Sequence, residues 1–253
     1  MTCVRGGRGA TSRFMFARPI IGLATVATVI ALCTTSAATA AERRYSVTSF
    51  ERIRIDGPFD VRIRTGTAPS AQADGDAAAL DALTLTVEGQ TLIVRRQPTA
   101  AGSRDAAPSR PLAITLGTPV LRGVNVNAGG RLIVDKMLAQ RIDLSINGAG
   151  TLDVAAVDTD QLVATVTGAG TMTLAGKARR ARYLITGPGS FQASNLVAND
   201  LFVTSAGPGE VNLAARYTAD VVSSGLGTVT ITGSPACRVS ATGGGAVVCT
   251  PKR

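Results

Sequence analysis

The side chains that most often carry chemistry are scarce in this chain. Its 253 residues include no histidine and no tryptophan. Without histidine, there is no imidazole for general acid–base catalysis, for activating a serine or cysteine nucleophile, or for the usual zinc sites. We therefore expect neither a metal centre nor a bound cofactor.

Carboxylates are the remaining candidates for catalysis. Cleavage of a glycosidic bond usually needs two of them facing one cleft at a defined separation. Asp143 and Asp220 hold equivalent places in a repeat described below, but four repeats apart. Asp153, Asp158 and Asp160 are close only along the chain, around a loop with no aromatic sugar platform nearby. The sequence therefore predicts that the protein is not an enzyme. A carbohydrate-active enzyme resembling a polysaccharide lyase or hydrolase is the alternative.

Gly-x-Gly segments recur and could form anion or calcium sites. A phosphate-binding loop must lead into a helix, whose backbone N–H groups point at the anion. Here each segment leads into another run of alternating apolar residues. A calcium-binding β-roll needs Asp two residues after the glycine in a nine-residue period, whereas Asp153 stands alone, three residues after Gly150. The pattern indicates structural corners.

Two polar sets could bind a ligand. Arginines alternate along residues 52–64, so we expect them to share one face. Small polar residues also recur three positions before the corner glycines. The arginines could contact anionic glycans or lipid headgroups, and the small polar residues could present hydrogen-bond groups to a polymer. The alternative is that the arginines only solubilise exposed strands and the small residues only fill outward positions. The sets are Arg52, Arg54, Arg62 and Arg64, and Asn127, Asn147, Thr167 and Thr186; Lys177, Arg179, Arg180 and Arg182 could extend the first.

The first forty residues have the order of a secretory signal peptide. Four arginines precede an apolar run over residues 20–33, and small residues lead to a cleavage site between Ala40 and Ala41. An uncleaved membrane anchor is the alternative. The 26 Lys and Arg residues less these four leave 22 against 17 acidic residues, a net charge near +5. Cleavage leaves two cysteines, Cys237 and Cys249, and no membrane span.

A glycine-anchored sequence repeat is the feature from which the fold is predicted. Its anchor glycines are spaced by 18 to 20 residues. Apolar residues recur four and six positions before each anchor and two and four positions after it. This alternation predicts a strand, a corner and a second strand per repeat. Stacked repeats bury a continuous interior, and parallel crossovers are right-handed. We predict an all-β, right-handed parallel β-helix with coils of about 19 residues. The anchors are Gly130, Gly150, Gly170, Gly189, Gly209, Gly227 and Gly245.

The N-terminal part is predicted to be less regular. Residues 50–66 repeat the strand–corner–strand form, with Phe59 in the anchor position. Residues 71–82 predict a short helical turn, 83–96 two strands about a tight turn, and 97–111 a Pro-rich surface loop. We divide the chain into the signal peptide 1–40, an N-terminal β part 41–111, and coils with a C-terminal cap over 112–253.

The cysteines fall on inward columns of the last repeat. In an exported chain they can form one disulfide, which would close the open end of the solenoid. A pair of buried free thiols is the alternative.

The segments "IRIDGPFDVRI" (53–63) and "GDAAALDALTLTVEGQTLIV" (75–94), followed by the Gly-x-Gly coils, resemble the head GIN domain family. That family is also described as putative auto-transporter adhesins. The resemblance extends over roughly residues 45–249. It implies an exported bacterial protein with a right-handed β-helix, and it supplies no catalytic residues.

These observations predict a non-catalytic, adhesin-like binding or scaffold protein of the cell envelope, periplasmic or extracellular. Its partner is expected to be an anionic glycan, another envelope component or another envelope protein. Nucleic acid is not an expected partner, because the chain lacks a dense basic stripe with stacking aromatics. The sequence leaves the oligomeric state open.

Overall fold

The computed structural model describes residues 41–97 and 111–250. The predicted signal peptide lies outside the described residues, as do positions 98–110 of the predicted Pro-rich loop. Within the described ranges, no helix is both long and apolar enough to cross a membrane.

Short strands and one short helix make up the N-terminal part. They are β1 (Ala41–Tyr45), β2 (Arg52–Asp56), β3 (Asp60–Thr65), β4 (Ser70–Gly75), α1 (Ala77–Asp81), β5 (Leu83–Glu88), β6 (Thr91–Arg96), β7 (Ala113–Thr118), β8 (Gly123–Ala128) and β9 (Arg131–Val134). The predicted helical turn is confirmed at α1, but the residues before it form strand β4.

Long strands that bend around the coil follow. They are β10 (Met137–Gly148), β11 (Thr151–Thr167), β12 (Thr171–Thr186), β13 (Ser190–Ala206) and β14 (Val211–Ser223), and then the shorter β15 (Val229–Gly233), β16 (Ala236–Ala241) and β17 (Val247–Thr250).

These strands stack in parallel, each residue beside its equivalent one coil earlier. Leu144, for example, pairs with Val124 on one side and with Ala164 on the other. The strand segments form three stacks. The first stack holds the segments before each corner, the second those after it, and the third those leading back to the first. The predicted β-solenoid with coils of about 19 residues is confirmed.

The inward columns form the core. Residues two positions after the anchors, such as Leu132, Leu152 and Phe191, are fully buried. Tyr183 packs edge-on against Phe191 with ring centroids 5.1 Å apart, and burial raises the pKa of its phenol. The coil formed by β16 and β17 differs, because no other described residues pack on its inward side. Val239 is therefore 45% exposed.

The corners require glycine because successive coils approach closely there. The Thr151 amide donates to the Gly130 carbonyl at 2.8 Å, and the Thr171 amide donates to the Gly150 carbonyl at 3.0 Å. The first glycines of these corners, Gly148 and Gly168, have φ values of 117° and 106°, which L side chains rarely adopt. The corners lead into strands, as predicted.

The N-terminal coils are not stacked in chain order. Strand β2 lies between β6 and β8, and β3 lies between β7 and β9. Strand β4 pairs antiparallel with both β1 and β7, and β5 pairs antiparallel with β6. This end of the solenoid is therefore covered by strands of reversed direction, whereas among the described residues β16 and β17 each pair with one neighbouring coil only.

Candidate functional site

The four alternating arginines occupy two stacks. Arg52 and Arg54 lie on β2 in the first stack, beside β6 and β8. Arg62 and Arg64 lie on β3 in the second stack, beside β7 and β9. The corner at residues 57–59 turns the chain from one stack to the other, so the alternation along the sequence does not give one shared face.

The small polar column is brought together as one row of the first stack. Asn147 pairs with Asn127 and with Thr167, and Thr167 pairs with Thr186. The Asn147 amide donates to Asn127 Oδ1 at 3.0 Å, and the Asn127 amide donates to Asp56 Oδ1 at 2.6 Å. The asparagines therefore bond to each other along the corner, which favours the structural interpretation for these two.

A larger polar feature lies where the third stack meets the first. Four shallow depressions adjoin there and share lining residues. Arg52 and Asp143 line the first two, Arg141 lines the second and third, and Gln161 and Arg180 line the third and fourth. We call the resulting surface, from Arg52 through Arg141, Gln161 and Arg180 to Tyr217, the axial groove.

From Arg141 onward, the axial groove follows one row of aligned positions. Arg141, Gln161, Arg180, Asp200 and Thr218 pair in succession on five consecutive coils. Neighbouring strands are about 4.8 Å apart, so the row spans on the order of 19 Å. Each of these residues lies nine positions before an anchor glycine. This column could have been read from the sequence, but it is mixed in charge and so did not stand out.

The charge of the groove is positive and only partly neutralised. Arg141 forms an ion pair with Asp143 at 3.0 Å, and Arg54 forms one with Asp56 at 3.0 Å. Within the described ranges, Arg52, Arg180 and Arg182 have no carboxylate oxygen within 4.0 Å. The Arg182 guanidinium instead lies 5.7 Å from the centroid of the Phe202 ring. Three guanidinium groups are therefore available to an anion.

The candidate catalytic carboxylates are matched with basic side chains of neighbouring coils. Distances of 3.4, 3.2 and 3.4 Å join Asp153 to Arg131, Asp158 to Lys177, and Asp160 to Arg179. Asp143 and Asp220 are four coils apart in one row, as predicted. No group of three or more Asp, Glu or Cys side chains suited to a metal ion occurs in the described part of the chain.

Tyr217 is the site residue that the sequence did not single out. It lines the end of the axial groove together with Asp160, so an aromatic side chain does lie near this carboxylate. The two are 57 positions apart in the sequence and meet only through stacking. In addition, the repeat shortens from 20 to 18 residues here. Alignment of the repeats therefore does not show whether Tyr217 faces inward or outward.

The cysteines lie on the coil formed by β16 and β17. Cys237 is on β16 and pairs with Ala219, and Cys249 is on β17 and pairs with Ile231. Their sulfurs are bonded to each other, with the Cα atoms 6.8 Å apart. Both residues are exposed, because no other described residues pack on the inward side of this coil.

The stacked parallel coils define a β-solenoid with a polar outer groove. Residues 49–235 match the family described as putative auto-transporter adhesin, head GIN domain. The chain belongs to that family, and the resemblance drawn from the sequence is confirmed.

Solved structures share the fold. A putative adhesin from Bacteroides fragilis is 22% identical with a TM-score of 0.76, over 85% of this chain and 97% of its own. A putative adhesin from Parabacteroides distasonis is 15% identical with a TM-score of 0.66, over 85% and 98%. A putative lipid binding protein from the same organism is 20% identical with a TM-score of 0.65, over 84% and 97%. Comparison with curated proteins gave no significant match.

Proposed function

We propose that this protein is an exported, non-catalytic, adhesin-like β-solenoid of the bacterial cell envelope that binds an anionic glycan or similar envelope polymer along the axial groove. In this proposal the signal peptide, residues 1–40, is removed between Ala40 and Ala41. The mature chain then acts in the periplasm or outside the cell, with residues 41–111 as the N-terminal β part and 112–253 as the coils and cap. Family membership supports the adhesin-like role.

The observation that carries the proposal is the continuity of the axial groove. Its lining residues lie on successive stacked coils from β2 to β14. Its guanidinium groups at Arg52, Arg180 and Arg182 lack carboxylate partners among the described residues. Arg52 and Arg182 lie in one row of aligned positions, four coils or about 19 Å apart, so an extended polyanion can reach the guanidinium groups at both positions. Guanidinium groups bind carboxylates through two parallel hydrogen bonds.

The pairing of the carboxylates supports binding over cleavage. A glycosidase needs one carboxylate free to donate a proton and another free to attack or to activate water. Asp143, Asp153, Asp158 and Asp160 are each within 3.5 Å of an arginine or lysine nitrogen. Each of these contacts holds a carboxylate oxygen against a basic side chain, which leaves fewer oxygens free for a sugar. A carbohydrate-active enzyme is therefore the weaker candidate.

The proposal can be tested with two charge-matched double variants of the mature chain. Arg52→Gln with Arg180→Gln removes two cations from the axial groove, and Arg62→Gln with Arg64→Gln removes two from the second stack. Binding to an array of anionic glycans is measured at low and at physiological salt. At about 1 kcal/mol per cation near an anionic surface, the groove variant should bind about 30-fold more weakly. The control should change less than about threefold.

Equal losses in the two variants would mean that only net charge matters and that the groove is not the site. Absence of binding by the unmodified chain to every anionic glycan would reject the proposal and shift attention to a protein partner.

A further inference from the structure

Tyr217 is held at the surface where the axial groove ends. Its side chain is 57% exposed, whereas Tyr183 is buried in the core. Around it, the groove forms a depression of about 260 Å³. Arg180, Asn199, Asp200 and Gln161 line the depression with it.

A bulge in β14 produces this exposure. Ala198 pairs with Ala215 and Asp200 with Thr218, so Arg216 and Tyr217 together stand opposite Asn199 alone. An extra residue in one strand re-aims the neighbouring side chains, and bulges are frequent next to functional sites. The Arg216 guanidinium lies 5.6 Å from the centroid of the Tyr217 ring. This cation–π contact favours a fixed ring orientation.

The polar side chains of the depression retain hydrogen-bonding capacity. The Thr218 hydroxyl donates to Asp200 Oδ1 at 2.7 Å, and in the described part of the chain no hydrogen bond reaches Asp200 Oδ2. Arg180 is one of the three groove cations without a carboxylate partner. Asn199 and Gln161 add amides, each able to donate and to accept.

This combination fits one kind of ligand. A pyranose ring has a face of apolar C–H groups, which packs on an aromatic ring, and an edge of hydroxyls, which bond to planar carboxylate and amide groups. A guanidinium beside that edge selects a ring that also carries a carboxylate.

We propose that Tyr217, Arg180 and Asp200 form a subsite for one acidic sugar, a pyranose ring bearing a carboxylate, within the polymer bound by the axial groove. The inference rests on the proposed function. Tyr217 packs on the apolar face of the sugar, Arg180 binds its carboxylate, and Asp200 accepts hydrogen bonds from its hydroxyls.

The test titrates the mature chain with a short oligosaccharide containing glucuronic acid and with the same oligosaccharide after reduction of its carboxylates to alcohols. The variants are Tyr217→Ala, Tyr217→Phe and Arg180→Gln. Leu226→Ala is the control, because Leu226 is 76% exposed and does not line the groove. Circular dichroism checks that each variant is folded.

We expect Tyr217→Ala to weaken binding of the acidic oligosaccharide about tenfold, which corresponds to ~1.4 kcal/mol. Tyr217→Phe and Leu226→Ala should bind like the unmodified chain. Arg180→Gln should weaken binding of the acidic form and leave the reduced form nearly unchanged. Saturation-transfer NMR should show contact with the ring C–H protons that is lost in Tyr217→Ala.

Two results would overturn the subsite and leave the proposed function standing. One is unchanged affinity in Tyr217→Ala while the Arg52 and Arg180 double variant still loses binding to long polyanions. The other is binding of long polyanions with no binding of the short acidic oligosaccharide. If the unmodified chain binds neither, both proposals fail.

Discussion

The anchor glycines act through the space beside them. A Cβ atom placed on Gly189 would lie 2.6 Å from the Gly170 carbonyl oxygen and 2.7 Å from Val166 Cγ1. Both distances are shorter than real Cβ contacts, and a backbone carbonyl in a stacked coil cannot move aside without disturbing its own hydrogen bonds. The glycine column is therefore what allows neighbouring corners to stack at the spacing of a sheet.

Gly189→Ala is expected to lower the free energy of unfolding by about 1–3 kcal/mol, the usual cost of overpacking a tight site. The matched control is Gly129→Ala, since a Cβ on Gly129 meets nothing within 4 Å and its φ is not positive. That control should change stability by less than about 0.5 kcal/mol. Urea denaturation measures both. A similar small effect at the two positions would contradict a role for close stacking.

Strands β16 and β17 pair with a neighbouring strand on one side only. β16 pairs with β14 and β17 pairs with β15, and no other described residues pack on their inward side chains. The bond between Cys237 and Cys249 joins the two strands across 12 residues of sequence. The disulfide therefore restrains a coil that is stabilised by only one neighbouring coil.

The natively folded protein is expected to contain no free thiol at Cys237 or Cys249. Removing the bond with Cys237→Ser and Cys249→Ser should cost about 3 kcal/mol, from the added entropy of a loop of this length. Because coils interact with their neighbours only, the loss should be local. Hydrogen exchange should accelerate in β16 and β17 and stay unchanged in β11 to β13. Labelling of either cysteine in the unreduced protein would contradict the expectation.

The sequence predicts these elements to different degrees. The coils from β8 onward follow from apolar columns at a fixed distance from each anchor, because every repeat supplies the same signal. Strand β4 is missed because its Ala- and Asp-rich sequence lacks the β-branched residues that mark strands. The separation of Arg52 from Arg62 depends on how sharply residues 57–59 turn, which alternation alone does not report. The bulge at Tyr217 changes the register locally and has no periodic signal.

The two ends of the described solenoid differ. Antiparallel strands cover the N-terminal end, whereas no described strand covers β16 and β17 at the other end. Solenoid stability is close to a sum of repeat and neighbour terms. The effect of removing a coil therefore depends on whether it lies at the open end or between two others.

A chain of residues 41–235 loses β16 and β17 and should keep a cooperative thermal transition at a lower temperature. A chain of residues 76–253 loses β1 to β4, including the coil that lies between β6–β7 and β8–β9. That chain should lose its cooperative transition, because β6–β7 and β8–β9 are left without the coil that pairs with both of them. Calorimetry with circular dichroism distinguishes the outcomes. Equal tolerance of both deletions would contradict this asymmetry.

The insertion of β2 and β3 between later strands also bears on the order of folding. Arg52 pairs with Thr91 and Gly123, which are 39 and 71 residues further along, whereas each coil beyond β9 pairs with one about 20 residues away. Closing the longer loops costs more chain entropy and slows nucleation. The first coil to be synthesised can acquire both of its neighbours only after residue 134 has been made. From that point the remaining coils can add one by one, in the order of translation.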